Sequence, residues 1–360
     1  MGKLSGGKWS YSSTRISHSW EIGRLGFAFC ICLLVPSQLA DLRGGGSIAA
    51  NAVNVTGGSS GIGKCVAILA AKHGAHVTII ARDIQKLKIA RNEIIHACRD
   101  KDVQKVEYLS LDIGEDYNAV EKAFNELERT MGPIYMLVNC AGTAIGGKIE
   151  DTSIADLQNM INTNFLGSYY CIKAVIQRMK ASQEGIIVLT SSQAALLGIF
   201  GYSAYCSTKF ALRGLAESIS MEVAPYNISV TLSLPPDTDT PGFAIEELSK
   251  PLETKLISET SSLVSPKVVA KGLFKDALAG KFFSSIGVEG FMLTVLCSGM
   301  SPFHSILDLL LQSTLMGIFR LNEEPHVSPK SQEPQWLPIY LSCNKESATS
   351  RILISPIMRD

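Results

Sequence analysis

This sequence has no excess of charge in either direction: 33 Lys and Arg stand against 33 Asp and Glu. Without a net field, nothing draws the chain to nucleic acid, and no nucleic-acid partner is expected. It also lacks the spacing that builds metal sites. Cys30, Cys32, Cys65, Cys98, Cys140, Cys171, Cys206, Cys297 and Cys343 include no CxxC pair and have no histidine at ligand spacing. They are read as reduced core thiols, with no metal expected. Long hydrophobic runs are scarce too. The apolar stretch 25–35 is interrupted by Gly26 and stopped by Pro36, well short of the ~20 residues of a membrane span. Its length and basic flank fit a signal-peptide core, but a weak membrane anchor or an unstructured leader is preferred. No repeat of solenoid period occurs, and low complexity is confined to Gly44-Gly45-Gly46. Only 18% of residues are charged against 46% hydrophobic, so the chain can fill a large core and leave some apolar surface.

From about Asn51 onward, short apolar runs alternate with amphipathic stretches. That alternation is the signature of βαβ units and of a parallel sheet covered on both faces. Strands are expected at 52–56, 76–81, 106–111, 136–139, 186–190 and 228–234, with helices near 62–73, 84–98, 116–131, 153–180 and 204–224. The fold class is α/β, a doubly wound parallel sheet of Rossmann type in one catalytic domain with an apolar C-terminal extension. The organisation reads as a leader over 1–49, the sheet domain over 50–285, an apolar substrate or membrane element over 286–321, and a Pro-, Ser- and Glu-rich tail over 322–360 expected to be disordered.

The first strand runs into Thr56-Gly57-Gly58-Ser59-Ser60-Gly61-Ile62-Gly63, and an amphipathic helix follows. Glycines let the chain turn tightly and bring backbone amides up to a pyrophosphate, which then sits at the positive end of the helix. Gly57, Ser59, Ser60, Gly61, Ile62 and Gly63 are therefore cofactor-binding candidates. About 20 residues further on, where a ribose-reading residue is expected, the second strand ends in Arg82 followed by Asp83. A guanidinium there holds a 2′-phosphate, and Lys86 adds charge one turn later, so NADPH is expected over NADH. Asp83 is the alternative ribose ligand. Asp112, after the third strand, is placed against the adenine amino group, and Asn139 opens the tight loop Asn139-Cys140-Ala141-Gly142.

Ser191-Ser192 stands at a strand end, and Tyr205 and Lys209 lie four apart at the start of a helix, on one face. An ammonium beside a phenol is expected to lower the phenol's pKa from about 10 and make it a usable general acid. These elements resemble the short-chain dehydrogenase/reductase family, whose TGxxxGxG, NAG, Ser, YxxxK and Asn motifs have counterparts in order over about 50–245. The resemblance implies ketone reduction with a serine, Tyr205 and Lys209. It selects Ser192 by spacing, with Ser191 as the neighbouring candidate. It also matches Asn164 to the asparagine that relays protons through water, and it implies that Tyr205 and Lys209 contact the cofactor.

Within that family the chain is similar to the reductases of long-chain keto-sphingoid bases on three runs. These are Val55 through Lys64, Pro235-Pro236-Asp237-Thr238-Asp239-Thr240-Pro241-Gly242-Phe243 and Lys250-Pro251-Leu252-Glu253-Thr254. That likeness implies a keto-sphingoid substrate, sphingolipid metabolism, membrane association and the cytosolic face of the endoplasmic reticulum. A homo-oligomer is left open. Asp237 and Asp239 could offset the substrate's amine, or simply form turns. The alternatives kept are a family member acting on a steroid, retinoid or fatty-acyl ketone, and a non-enzymatic NADPH-binding protein.

Overall fold

The computed structural model describes residues 48–321 except 260–261, 300 and 303–304. The leader up to residue 47 and the tail from 322, with the expectations placed on them, lie outside the described residues. The strands are β1 (Ala52–Thr56), β2 (His76–Ala81), β3 (Val106–Ser110), β4 (Ile134–Asn139), β5 (Gly185–Thr190), β6 (Ile228–Leu234) and β7 (Phe283–Ser285). All pair in parallel, in the order β3-β2-β1-β4-β5-β6-β7. The order reverses between β1 and β4, which brings Thr56 level with Asn139. Ligands of such sheets bind at this switch point, beyond the carboxyl ends of the strands.

The helices are α1 (Gly61–Lys72), α2 (Ile84–Ala97), α3 (Tyr117–Met131), α4 (Ile154–Met160), α5 (Gly167–Ser182), α6 (Ser203–Val223), α7 (Pro241–Glu246), α8 (Leu252–Glu259), α9 (Pro266–Leu278), α10 (Gly287–Leu296) and α11 (Ile306–Leu321). Several have starts written in the sequence. Asp83 accepts from the amides of Gln85 and Lys86, Asp116 from those of Asn118 and Ala119, and Ser265 caps α9 just before Pro266. α1, α2 and α9 bury Val66, Leu87, Ile94 and Leu273 on one face of the sheet, against Val53, Val55, Val77 and Val188. α3, α5 and α6 bury Phe124, Val175, Leu212 and Val223 on the other, against Leu137, Ile187 and Leu189. A side chain as large as Phe124, wholly buried, contributes on the order of 2–3 kcal/mol of transfer free energy. β5 faces both layers and is buried over its first five residues, which is why it reads as a continuous apolar run rather than an alternating one.

Two features differ from the sequence expectation. β7 is a seventh strand, absent from that reading because Phe283-Ser284-Ser285 is too short to display a period of two and is held by pairing with β6. The expected helix over 153–180 is split, with a π-helical turn at Ile161–Leu166 between α4 and α5. The wider turn admits an extra residue and carries Asn164 into the interior, where it has no solvent exposure. The expected apolar element over 286–321 contains α10 and α11. Among the described residues no helix is long and apolar enough to cross a membrane.

Candidate active site

The loop after β1 and the loop after β4 touch. Gly57 has φ +65°, and a Cβ there would lie 2.8 Å from the Ala141 amide. One on Gly63 would lie 2.5 Å from the Gly57 carbonyl, so both positions require glycine. Thr56 Oγ1 ties the loops by accepting from the amides of Cys140 and Ala141, each at 3.2 Å. Ser60 precedes α1 without a side-chain cap, and no acidic residue occupies the first turn. The positive end of that helix therefore has no internal anion, as a pyrophosphate site needs. Ser59, Ser60, Gly61 and Ile62 are half-buried around it. At the end of β4, Asn139 donates to the Val188 carbonyl at 3.3 Å while its buried Oδ1 has no hydrogen-bond donor. A dinucleotide fits these residues: a cradle only glycine permits, an open helix end and an unsatisfied acceptor.

At the outer end of that cradle Arg82 Nη1 lies 3.6 Å from Asp112 Oδ2, and Lys86 Nζ lies 3.6 Å from Asp83 Oδ2. Asp112 also accepts from the Gly114 amide at 3.0 Å. Asp83 is committed to capping α2, and the Lys86 amide above all holds its carboxyl below the usual carboxylate range. Arg82 and Lys86 keep roughly two-thirds of their side-chain surface, open to an incoming anion.

The two adjacent serines separate by geometry. Ser191 is buried, and its hydroxyl donates to the Lys209 carbonyl at 3.1 Å, bracing α6. Ser192 Oγ accepts from the Ala194 amide at 3.2 Å, and its hydroxyl acts on that of Tyr205, favouring the ionised phenol. Lys209 Nζ donates to the Thr190 carbonyl at 3.2 Å and lies 5.5 Å from the Tyr205 ring centre. Burial pushes the Lys209 ammonium down to about 8, against the opposing pull of Cys140 and Glu246. The Tyr205 hydroxyl moves the other way from the expectation. Burial first and Glu246 second raise it, and only the Ser192 hydroxyl opposes them. Lys209, itself lowered to about 8 by burial, is uncharged in the range where the raised phenol titrates and so does not hold it down. Asn164 accepts from the Thr143 amide at 2.8 Å and donates to the Thr143 carbonyl and to Thr208 Oγ1, each at 2.9 Å. It fixes the loop after β4, with Gly142 wedged between its Oδ1 and Lys209 Nζ. Cys140 sits behind them, its thiol 3.0 Å from Thr190 Oγ1 and pushed up to about 11 by burial.

A glycine cradle at the switch point is thus followed by Ser192, Tyr205 and Lys209 around one point of the cleft. A short chain dehydrogenase profile matches residues 51–248, more than half of the chain. The chain belongs to the short chain dehydrogenase family. It is an oxidoreductase of that family and uses a nicotinamide cofactor. Over 269 residues it is 52% identical to a 3-ketodihydrosphingosine reductase of Bos taurus and to a 3-dehydrosphinganine reductase of Danio rerio, covering 74% of this chain and 80% of each relative. An Arabidopsis thaliana 3-dehydrosphinganine reductase is 40% identical over 272 residues, 75% of this chain and 80% of that one. Among solved structures, a levodione reductase shares the fold at TM-score 0.58 and 19% identity, over 66% of this chain and 96% of that one. An NAD+-bound xylitol dehydrogenase superposes at 0.58 with 22% identity, over 65% and 94%. An alcohol dehydrogenase of Thermococcus sibiricus complexed with 5-hydroxy-NADP does so at 0.54 with 25% identity, over 62% and 89%.

Beside Tyr205 this dehydrogenase carries a polar cluster that sequence reasoning missed. The Tyr202 ring lies 5.3 Å from that of Tyr205, and its hydroxyl donates to Glu246 Oε1. Lys250, its side chain wholly buried, contacts Glu246 at 3.2 Å, Asp237 at 3.8 Å and Glu247. It also donates to Ser258 at 3.0 Å and lies 4.2 Å above the Phe243 ring. Of the two aspartates expected near the substrate, Asp237 joins this cluster, whereas Asp239 is exposed. The signal available was a lysine following four acidic residues within 14 positions, 237 to 250. Only the fold of α7 and α8 brings them together.

Proposed function

We propose that this dehydrogenase reduces the ketone of 3-ketosphinganine, a long-chain keto-sphingoid base, to sphinganine with NADPH. The observation that carries the reading is the contact of Ser192, Tyr205 and Lys209 at the strand ends, in a chain 52% identical to proteins named for that reduction. The dinucleotide, when bound, supplies the hydride. Ser192 and Tyr205 act on one another through their hydroxyls and together present them to the carbonyl oxygen. Ser192 holds that oxygen and Tyr205 gives it a proton as charge develops there. The burial that raises Tyr205 helps, because a reductase needs this phenol as O–H rather than as phenolate. Lys209, held on the Thr190 carbonyl and lowered to about 8, is the group able to exchange a proton near neutral pH and restore the phenol. Arg82 and Lys86 support the phosphorylated cofactor, since both leave charge exposed where the second ribose would end.

We assign the reaction to the cytosolic face of the endoplasmic reticulum membrane. A long-chain ketone resides in lipid, and α11 carries exposed Ile306, Leu309 and Leu310 that favour an apolar surface. The deciding experiment is a panel of 3-ketosphinganine with steroid, retinoid and fatty-acyl ketones, each run with NADPH and NADH. NADPH-dependent loss of 3-ketosphinganine is expected. Turnover confined to the steroid ketones would refute the assignment.

A further inference from the structure

We infer that Glu246 binds the substrate's ammonium group, so that this site selects 2-amino ketones over ketones of equal length without the amine. The inference rests on the keto-sphingoid reading above and names the residue that would enforce it.

In such a substrate the carbon bearing nitrogen is bonded directly to the carbonyl carbon. Once the carbonyl oxygen lies on Ser192 and Tyr205, the ammonium must therefore sit close beside the Tyr205 hydroxyl. What stands there is set by α7. Tyr202 packs its ring 5.3 Å from that of Tyr205 and donates to Glu246, and among charged groups Glu246 has the largest electrostatic effect on Tyr205. The other acids of the cluster fit less well. Asp237 accepts from Ser258 and acts on Tyr205 more weakly, while Glu247 is more exposed and bonded to Lys250. Asp239 is outside the cluster.

Lys250 is the cluster's resident cation, yet it meets Asp237, Glu246 and Glu247 at once and leaves two formal negative charges unbalanced. Carboxylates withdrawn from water are stable when paired, and Glu246 keeps only 14% of its side-chain surface. A substrate ammonium supplies the missing charge, whereas a ketone lacking it leaves the cluster's formal negative charge uncompensated beyond what Tyr202 and Lys250 provide. Sites built this way discriminate strongly against the analogue that lacks the polar group.

The test compares 3-ketosphinganine with its des-amino counterpart, using the full chain with NADPH, as wild type and as Glu246→Gln. Glutamine keeps the size of the side chain and an acceptor for Tyr202 but removes the charge. The wild type is expected to prefer the amino ketone by about 100-fold or more in kcat/KM. In Glu246→Gln that preference should shrink by about 10- to 100-fold, the loss of one charge-assisted hydrogen bond. A long-chain alkylammonium should compete with the ketone in the wild type and lose that competition in the variant. An unchanged preference in a variant that still quenches NADPH fluorescence would overturn the inference and leave the keto-sphingoid reading standing. Failure of the wild type on 3-ketosphinganine itself would overturn both.

Discussion

Replacing Arg82 with Asp tests how the cofactor end of the cleft reads its ligand. Arg82 and Asp112 stand 3.6 Å apart, with 65% and 35% of their side-chain surface exposed. An ion pair this wet contributes little to stability, so the substitution should leave folding nearly unchanged. Its effect on binding has two parts. A charge-assisted contact to a 2′-phosphate is worth about 1.5–3 kcal/mol, and exposure argues for the lower figure. A carboxylate introduced beside Asp112 and facing the phosphate adds a repulsion of about 0.5–1 kcal/mol in a water-like dielectric. Together they come to about 2–2.5 kcal/mol, or a 30- to 70-fold rise in the NADPH dissociation constant at 1.36 kcal/mol per decade. NADH, which lacks that phosphate, should bind within about threefold of wild type. Fluorescence titration with both cofactors at two salt concentrations reads this directly, and the NADPH deficit should narrow as salt screens the charges. An NADPH affinity unmoved by Arg82→Asp would mean that Arg82 is a solvated surface charge.

Two more outcomes follow from the site. Ser192→Ala should lower kcat by about 10²- to 10³-fold, as loss of a donor to the developing oxyanion does, whereas Ser191→Ala should cost about 1 kcal/mol of stability and leave kcat within a few-fold. Kinetics with thermal melts on both variants distinguish them, and equal losses of kcat would contradict the separation. Lys209 with its pKa lowered to about 8 is protonated below that value, so reduction should slow as pH rises through about 8. Lys209→Arg, charged at every accessible pH and unable to release a proton, should turn over more slowly and without that limb. A wild-type kcat that stays flat to about pH 9.5 would remove Lys209 from proton supply.

Most of the fold was legible because a strand buried on both faces leaves a dense apolar run. β1, β2 and β6 coincide with the runs at 52–56, 76–81 and 228–234. β7 was not legible, since three residues with two serines carry no periodicity and owe their conformation to β6. The π turn at Asn164 was hidden for a related reason: Ile161-Asn162-Thr163-Asn164-Phe165-Leu166 sits within a helical pattern, and tertiary contact with Thr143 and Thr208 goes with its wider winding. At the site, Tyr205 and Lys209 were readable from four-residue spacing on one helix face. The division of labour between Ser191 and Ser192 was not, because adjacent residues of an extended segment point in opposite directions. The direction of the Tyr205 shift also escaped, since burial is a property of the assembled fold. Glu246, Lys250 and Tyr202 were missed because their contact depends on α7 folding against the start of α6.

The central claim is that the Tyr205 hydroxyl is the proton donor to the substrate's carbonyl oxygen, and Tyr205→Phe tests it most directly by removing one oxygen atom and nothing else. With 3-ketosphinganine and saturating NADPH, the account predicts a fall in kcat of about 10²- to 10⁴-fold with NADPH affinity within about twofold of wild type. Turnover by Tyr205→Phe equal to that of the wild type would contradict it.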